Sequence, residues 1–313
     1  MKPEILLIEK MMPQIEAALD QHYRVHRLFE AADRGAFVAE AGAAVRAIVT
    51  GGGAGASRAI VDALPKLEII AINGIGTDAV DLEHARSRSI RVTTTPDVLT
   101  DDVADLGMAL LLAASRRLCL GDRFVRAGRW ARKEGLPLAR KVSGKALGIL
   151  GMGRIGRAIA RRAEGFGMAI AYSDLRAYPE LPYRYVPELR RLAAESEILM
   201  IAASGGPQSR GIVDAAVLDA LGPDGILVNI ARGSVVDETA LVAALQEGRL
   251  GGAGLDVFMN EPNVPEALFA LDSVVLQPHQ ASATIETRVA MGELVLRNLA
   301  EHFAGRQPPT AVV

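Results

Sequence analysis

Three residues in the second half of the sequence have side chains that could act together on a small organic acid. Arg232 follows an apolar run, Ile226–Ile230, and a guanidinium has the planar geometry that binds a carboxylate. Glu261 and His279 each follow a later apolar run, within "MNEP" and "LQPHQ". A carboxylate beside an imidazole would hold one tautomer and stabilise the imidazolium, which could then act as a general acid. We therefore expect Arg232 to bind a carboxylate and His279, supported by Glu261, to donate a proton.

Taken singly, each of these residues also has an ordinary structural explanation. An Arg after a strand can lie in a surface loop, a Glu before Pro is often a turn residue, and a single His is often structural. A parallel sheet would place all three at one edge, because they follow three successive strands, and ligands bind at that edge. The other histidines have no such context, and we expect structural or surface roles for them. They are His22, His26, His84 and His302.

The segment "GMGRIG" at 151–156 has the G-x-G-x-x-G spacing of a dinucleotide-binding loop. Gly151 would permit the tight turn, Gly153 would let the backbone approach a pyrophosphate, and Gly156 would let helix and strand pack closely. The apolar run "ALGIL" precedes the loop, and an amphipathic helical pattern follows it. The next strand, "AIAYS", leads into Asp174, whose carboxylate could bind a ribose diol and repel a 2′-phosphate.

A second glycine run, "GIGTDA" at 74–79, has a similar spacing after another strand. We expect an ordinary turn there, because its next strand, "VTTT", does not end in an acidic residue. Asp174 could itself be only a solvated strand-end residue, and Arg176 lies close enough in sequence to meet a 2′-phosphate. The sequence therefore favours NAD(H) and leaves NADP(H) possible.

These residues lie within an alternation of short strands and longer helices, which is typical of parallel sheets with helices on both faces. Pro96 interrupts the pattern, and Thr100 is a suitable N-cap for one long helix over about 101–127. A final helix, about 284–304, could pack back on the first lobe. The strands are expected at 4–8, 46–50, 67–73, 90–94, 146–150, 169–173, 197–202, 226–230, 253–257 and 273–276.

The pattern predicts an α/β protein with two doubly wound parallel-sheet lobes. The chain has 313 residues, half of them hydrophobic, which is too long for one small core. We expect a discontinuous, flavodoxin-like substrate domain over 1–99 and 284–313. A Rossmann dinucleotide-binding domain is expected over 100–283.

Composition excludes several classes of function. A net charge of −2 implies no broad basic surface for nucleic acid or acidic membranes. Cys119 is the only cysteine, which excludes an internal disulfide and a Cys-clustered zinc site, and we expect no metal. No apolar stretch approaches the roughly 20 residues of a membrane span, and the start does not have a signal-peptide pattern. We expect a cytoplasmic protein.

Four segments resemble the D-isomer-specific 2-hydroxyacid dehydrogenases, and the similarity covers nearly the whole chain. It is greatest to the glyoxylate/hydroxypyruvate reductase branch, which includes the plant hydroxyphenylpyruvate reductases. The segments are "PDVLTDDVADLGMALLLAASRR", "GKALGILGMGRIGRAIA", "LVNIARGSVVDETALVAALQEGRLGGAGLDVFMNEP" and "LQPHQASATIETR". The third and fourth are highly specific, whereas the glycine loop alone is not.

The resemblance implies a reaction and a role for each matching residue. Hydride from a nicotinamide would reach C2 of a small 2-oxo acid, such as glyoxylate or hydroxypyruvate, while His279 protonates the oxygen. Arg232 would bind the carboxylate, Glu261 would support His279, and Asp256 would reach the nicotinamide carboxamide region. The expected cofactor contacts are Gly151, Gly153, Arg154, Ile155, Gly156, Asp174, Ile230, Asp256 and Thr100. The expected substrate contacts are Gly51, Gly52, Gly74, Ile75 and Arg232.

The resemblance also implies a homodimer through roughly 100–145, where Trp130 could lie in the interface core or reach the partner's active site. The loop "AASGGPQSRG" at 202–211 departs from the family pattern, which leaves contacts on the adenosine side open. Two other functions stay open: a phenylpyruvate-type reductase, and a dinucleotide-sensing corepressor that keeps the same Arg, Glu and His. We expect the enzyme, since such corepressors commonly carry disordered tails and this sequence ends at "PPTAVV".

Overall fold

The computed structural model describes residues 2–313, which form two compact units. Unit 1 comprises the chain up to Leu99 together with Ser282–Val313, and unit 2 comprises Thr100–Ala281. The second crossing therefore lies two positions before the one expected between 283 and 284. Every strand pair in both units is parallel, so the predicted α/β class with two parallel sheets is confirmed.

Unit 1 is built around a five-stranded sheet. Its strands are β1 (Glu4–Leu7), β2 (Arg24–Arg27), β3 (Val45–Gly51), β4 (Ile69–Asn73) and β5 (Arg91–Thr93). The helices of this part of the chain are α1 (Pro13–His22), α2 (Arg34–Ala41), α3 (Arg58–Asp62) and α4 (Leu82–Ser87). The strand order β2-β1-β3-β4-β5 is the flavodoxin-like order, as expected.

Unit 2 is built around a seven-stranded sheet. Its first helices are α5 (Thr100–Arg116) and α6 (Leu118–Arg126). The strands are β6 (Ala146–Leu150), β7 (Ala169–Ser173), β8 (Arg184–Tyr185), β9 (Ile198–Ile201), β10 (Ile226–Asn229), β11 (Gly252–Leu255) and β12 (Val274–Leu276). The remaining helices are α7 (Arg154–Glu164), α8 (Leu189–Ala194), α9 (Ala215–Leu221) and α10 (Glu238–Gln246). The order β12-β11-β10-β9-β6-β7-β8 reverses at β6, which makes the end of β6 a switch point where ligands bind.

The central strands of unit 1 are buried on both faces, which explains their nearly continuous apolar sequences. In β1, Ile5 and Leu7 pack on one face and Leu6 packs on the other, and all three are 0% exposed. The last helix, α11 (Ile285–Phe303), returns to unit 1 and contributes Leu299 to the face that holds Ile5. Among the described residues, no helix is long and apolar enough to cross a membrane.

The single long helix predicted over 101–127 is wrong. The chain forms α5 and α6 instead, and Arg117 between them has a φ of 52°, which is the left-handed conformation. No Gly or Pro marks this break, so the local pattern gave no signal for it. Thr100 is the first helical residue rather than the N-cap, a difference within the usual uncertainty of helix ends.

Two strands were missed, and both lie at sheet edges. They are β2, with the sequence "RVHR", and β8, with the sequence "RY". Each pairs with one neighbour only and is not fully buried, so neither needs the apolar run by which the other ten strands are predicted. Polar, short edge strands are a common way of limiting edge-to-edge association.

Candidate active site

Arg232 lies in a loop that is held by the side chain of Asn229, the last residue of β10. Asn229 Oδ1 accepts from the Ala231 N–H at 3.0 Å, and Asn229 Nδ2 donates to the Arg232 carbonyl at 3.0 Å. Arg232 Nη1 donates to the Ala231 carbonyl at 2.7 Å, and the side chain is half-buried. Asn229 is 1% exposed, so a buried amide fixes the turn from which the guanidinium projects. Asn229 is not among the residues predicted from the sequence, although an Asn that ends a strand is a recognisable turn signal.

Gly233 explains why a glycine follows the arginine at the end of a buried strand. A Cβ at this position would lie 1.9 Å from the Phe258 carbonyl carbon, so no larger residue fits without movement of the backbone. The Phe258 N–H in turn donates to Glu261 Oε1 at 2.9 Å. Gly233 thus allows the loops after β10 and β11 to pack together, which brings the segment of Arg232 to the segment of Glu261.

His279 and Glu261 form a hydrogen-bonded pair, with His279 Nδ1 and Glu261 Oε2 separated by 2.7 Å. Burial by itself would raise the pKa of the Glu261 carboxyl. The hydrogen bonds from His279 and Phe258, with the charges of His279 and Arg232, outweigh burial and hold that pKa below its ordinary value. An ionised carboxylate only accepts, so Nδ1 is the donor of this pair and Nε2 is the nitrogen that can act on a substrate.

Asp256 fixes the backbone that carries His279. The His279 N–H donates to the Asp256 carbonyl at 2.8 Å, and the Asp256 carboxylate accepts from the N–H groups of Gln280 and Ala281 at 2.7 and 3.0 Å. His279 has a φ of 54°, an uncommon conformation for a residue with a side chain, and these bonds hold it there. Asp256 is 0% exposed, and burial raises the pKa of its carboxyl while the two side-chain bonds oppose the rise. The family resemblance predicts a nicotinamide contact for Asp256 but does not predict this positioning role.

The glycine loop connects β6 to α7 at the switch point of the sheet. Gly151 has a φ of 94°, and a Cβ there would lie 2.6 Å from the Ala203 Cα, while a Cβ at Gly156 would lie 2.0 Å from the Gly151 carbonyl oxygen. Gly153 faces open space, since a Cβ there would have no neighbour within 4 Å. The N-terminus of α7 has neither a side-chain cap nor an acidic residue in its first turn. The first N–H groups of a helix have no partner within the helix, so an uncapped start of this kind suits an anion such as a pyrophosphate.

Asp174 lies against this loop. Its Oδ2 accepts from the Met152 N–H at 2.6 Å and its Oδ1 accepts from the Leu175 N–H at 2.6 Å. Each oxygen keeps a further lone pair with which it can accept from a ribose hydroxyl. Arg176 is exposed, and its guanidinium carbon lies 5.1 Å from the centre of the Tyr178 ring. The loop, the uncapped helix and this carboxylate fit a dinucleotide.

The predicted substrate contacts of unit 1 share one edge of its sheet. Gly51 ends β3 and pairs with Asn73 at the end of β4. A Cβ at Gly52 would lie 3.3 Å from the Gly76 carbonyl oxygen, and one at Gly74 would lie 3.3 Å from the Gly52 nitrogen. Ile75 is 42% exposed. The two glycine-rich loops are therefore packed backbone against backbone, and no helix begins directly after the run at 74–79.

The remaining histidines have ordinary surroundings. His26, His84 and His302 bond to Glu4, Asp62 and Glu68 respectively, and His22 is exposed. Among residues 2–313, no cluster of three or more His, Cys, Asp or Glu side chains could hold a metal ion.

The carboxyl edge of unit 2 combines an anion-binding helix terminus with a guanidinium and a carboxylate-supported imidazole. The imidazole can give a proton to an organic acid that the guanidinium binds, and the helix terminus suits a dinucleotide, which would supply a hydride, so the class is that of the nicotinamide-dependent oxidoreductases. Residues 108–281 match the family model described as "D-isomer specific 2-hydroxyacid dehydrogenase, NAD binding domain". The chain belongs to the D-isomer-specific 2-hydroxyacid dehydrogenase family and is an NAD(P)-dependent enzyme of that family.

Named relatives are similar to the chain over its whole length. A 2-ketogluconate reductase from Gluconobacter oxydans is 47% identical over 100% of this chain and 99% of its own. A hydroxyphenylpyruvate reductase from Plectranthus scutellarioides is 47% identical over 99% and 98%. The crystal structure of an NADPH-dependent glyoxylate/hydroxypyruvate reductase from Sinorhizobium meliloti, in complex with NADP and malonate, matches with a TM-score of 0.91. That match has 41% identity and covers 100% of this chain and 97% of the other.

Proposed function

We propose that this protein reduces glyoxylate and hydroxypyruvate to 2-hydroxy acids, with the D configuration where the product is chiral. NAD(H) is the favoured cofactor and NADP(H) is possible. The observation that carries the proposal is the 2.7 Å bond between His279 Nδ1 and Glu261 Oε2, in a site where the charge of Arg232 acts on Glu261. The similarity to the Sinorhizobium glyoxylate/hydroxypyruvate reductase supports these substrates.

A reduced nicotinamide, when bound, would supply the hydride for C2 of the 2-oxo acid. Arg232 binds the substrate carboxylate through its planar fork and polarises the 2-oxo group. His279 Nε2 gives its proton to the carbonyl oxygen, and Glu261 holds the tautomer and stabilises the imidazolium. The further substrate contacts that we propose are Gly51, Gly52, Gly74 and Ile75, through their backbone.

Residues 100–283 act as the dinucleotide-binding domain in this proposal, and residues 1–99 with 284–313 act as the substrate domain. The start of α7 would hold the pyrophosphate of the dinucleotide, and Asp174 would hold the adenosine ribose. The residues that would hold the cofactor are Thr100, Gly151, Gly153, Arg154, Ile155, Gly156, Asp174, Ile230 and Asp256.

We also propose that the enzyme is a homodimer through roughly residues 100–145. Every residue from 129 to 141 is exposed, and the side chains of Trp130 and Leu138 are 72% and 94% exposed. Large apolar side chains that are exposed to solvent mark an interaction surface. Contact with a second copy of the chain would bury them.

The test is oxidation of NADH and of NADPH in the presence of glyoxylate, hydroxypyruvate, phenylpyruvate and 2-ketogluconate. We expect the highest kcat/KM values with NADH and one of the first two acids. A higher value with phenylpyruvate would support the second candidate, a phenylpyruvate-type reductase, which the Plectranthus relative favours. Tight dinucleotide binding without turnover of any 2-oxo acid would overturn both.

A further inference from the structure

Arg288 lies in α11 of unit 1, and the described residues provide no hydrogen-bond or ion-pair partner for its guanidinium. The residue is half-buried, and burial lowers its pKa against the opposing charge of Glu9. Within residues 2–313 the guanidinium makes neither a hydrogen bond nor an ion pair. Arginine is seldom withdrawn from water unless its donors are satisfied. A half-buried guanidinium whose donors have no acceptor among the described residues therefore indicates a ligand that supplies acceptor atoms.

Glu9 is the charged group that acts on Arg288. It follows β1, and a Cβ at Gly51 would lie 2.1 Å from Glu9 Oε2, so the carboxylate rests directly on the backbone at the end of β3. Within the described chain Glu9 also makes no hydrogen bond or ion pair, and it is exposed. The charge of Glu9 acts on Arg288, and within the described residues the two side chains form no ion pair with each other.

The direction of α11 places Arg288 at the carboxyl edge of the sheet. Near the start of the helix, Thr287 Oγ1 donates to the Val98 carbonyl, which follows β5. At the other end, His302 bonds to Glu68, which directly precedes β4. The first turns of α11 therefore lie at the edge that also carries the predicted substrate loops of unit 1.

Other polar atoms at this edge also lack partners. Asn73 Oδ1 and Thr95 Oγ1 are buried with no hydrogen bond within the described residues. Asn73 pairs with Gly51 in the sheet, and the Thr95 N–H donates to the Gly74 carbonyl at 2.8 Å. Unsatisfied buried polar atoms are costly, so their presence along one edge favours a polar ligand there.

We propose that Glu9 and Arg288 form a subsite for the hydroxyl groups on the distal carbons of a polyhydroxylated 2-oxo acid. A hydroxyl both donates and accepts, so it can bond to the carboxylate and the guanidinium together, whereas a second anion would be repelled by Glu9. This inference rests on the proposed function, since it names the substrate class of the same site. A two-carbon acid such as glyoxylate has no distal hydroxyl group to bind in the subsite.

The test compares 2-ketogluconate with glyoxylate in Arg288→Gln, Glu9→Ala and a control, Arg297→Gln. Arg297 lies on the exposed side of the same helix. We expect the ratio of kcat/KM for 2-ketogluconate to that for glyoxylate to fall about ten-fold in the first two variants, chiefly through KM. The control should keep the wild-type ratio.

An unchanged ratio, or an equal change in Arg297→Gln, would overturn the subsite. A parallel loss of both activities with a lower Tm would instead show that Arg288 only supports the fold. Failure of the proposed reductase function can be distinguished from failure of the subsite by a binding measurement. Calorimetric titration of 2-ketogluconate into enzyme saturated with NAD⁺ needs no turnover. The subsite then stands if wild type binds and Arg288→Gln weakens binding about ten-fold, and it fails if binding is absent or equal.

Discussion

At the scale of single residues, the candidate chemistry depends on how few degrees of freedom His279 retains. Its Nδ1 is held by Glu261 Oε2, and its backbone is held by Asp256 through three hydrogen bonds that involve residues 279–281. The imidazole is thereby oriented before any ligand arrives, which is the condition for efficient proton transfer to a developing oxyanion.

Replacement His279→Asn tests the proton donor. Because Asn cannot donate a proton as an acid, we expect kcat for 2-oxo acid reduction to fall by about 10²–10⁴-fold. Dinucleotide affinity, measured by fluorescence titration, should stay within about two-fold, since the glycine loop and Asp174 are untouched. A variant that keeps near full activity would show that another group protonates the substrate.

The sequence predicts the three candidate catalytic residues, but it does not predict the hydrogen bonds that position them. Arg232, Glu261 and His279 are recognisable because chemistry restricts their types and because parallel strands end at one edge. An Asn at the end of a strand indicates a turn, but the particular bonds of Asn229 and the two side-chain bonds of Asp256 depend on loop geometry that the sequence pattern does not specify. Arg288 was missed because an arginine on a helix is usually a solvated residue, and only its burial distinguishes it.

At the scale of elements, the close contact between the loops after β10 and β11 decides whether the site forms. Replacement Gly233→Ala would place a Cβ 1.9 Å from the Phe258 carbonyl carbon, so the two loops must separate. We expect kcat/KM to fall by about 10²-fold, because a displacement of about 1 Å disrupts the approach of reacting groups. Steady-state kinetics would measure this change.

Gly35→Ala is the matched control for that experiment. Gly35 lies in α2 of unit 1, where the nearest atom to a Cβ would be Asp33 Oδ1 at 3.4 Å, an ordinary contact, so activity should be unchanged and Tm equal or slightly higher. Equal kinetics for the two variants would contradict the role given to Gly233.

A second element-scale feature is the anchoring of α11 to the amino edge of the unit 1 sheet. Arg91 Nη1 donates to His302 Nδ1 at 3.2 Å, and His302 Nε2 lies 3.1 Å from Glu68 Oε2, with Arg46 also bonded to Glu68. Because Arg91 can only donate, this arrangement requires a neutral imidazole. Burial lowers the pKa of His302 below its ordinary value of 6.5, although Glu68 opposes the shift.

The sign of the resulting pH dependence follows from proton counting. Below pH 6.5 the unfolded chain protonates this histidine more than the folded chain does, so the free energy of unfolding decreases as pH falls. We expect Tm to decrease between about pH 7 and pH 5, and His302→Gln to flatten that part of the profile. His22→Gln, at an exposed position, should keep the wild-type slope. A profile of His302→Gln that coincides with wild type would refute the assignment.

Elements were predictable where burial dictates the sequence. Ten of the twelve strands carry apolar runs because both faces of each sheet are covered, and the two missed strands, β2 and β8, are polar edges. The helix break at Arg117 could not be predicted, since the residue that adopts the left-handed conformation is neither Gly nor Asn.

At the scale of the whole molecule, the sequence predicts two units for two reasons. Strands and helices alternate in two series, and the chain is too long for one small core. The glycine loop, Arg232, Glu261 and His279 all belong to unit 2, whereas the predicted substrate loops and the Glu9–Arg288 pair belong to unit 1. The large apolar side chains that are exposed to solvent are unevenly distributed along the chain. Five of the twelve large hydrophobic residues found exposed within 2–313 fall between 118 and 138: Leu118, Val125, Trp130, Leu136 and Leu138.

This clustering predicts the oligomeric state. A monomer of 33.1 kDa would leave the five side chains in water, and burial against a second copy would recover the hydrophobic free energy of each, about 25 cal/mol per Å². We expect sedimentation velocity to give a dimer for wild type and a monomer for the double variant Trp130→Asp, Leu138→Asp. Phe269→Asp, which is exposed elsewhere in unit 2, should remain dimeric. Wild type that sediments as a monomer at tens of micromolar would exclude this surface as a stable interface.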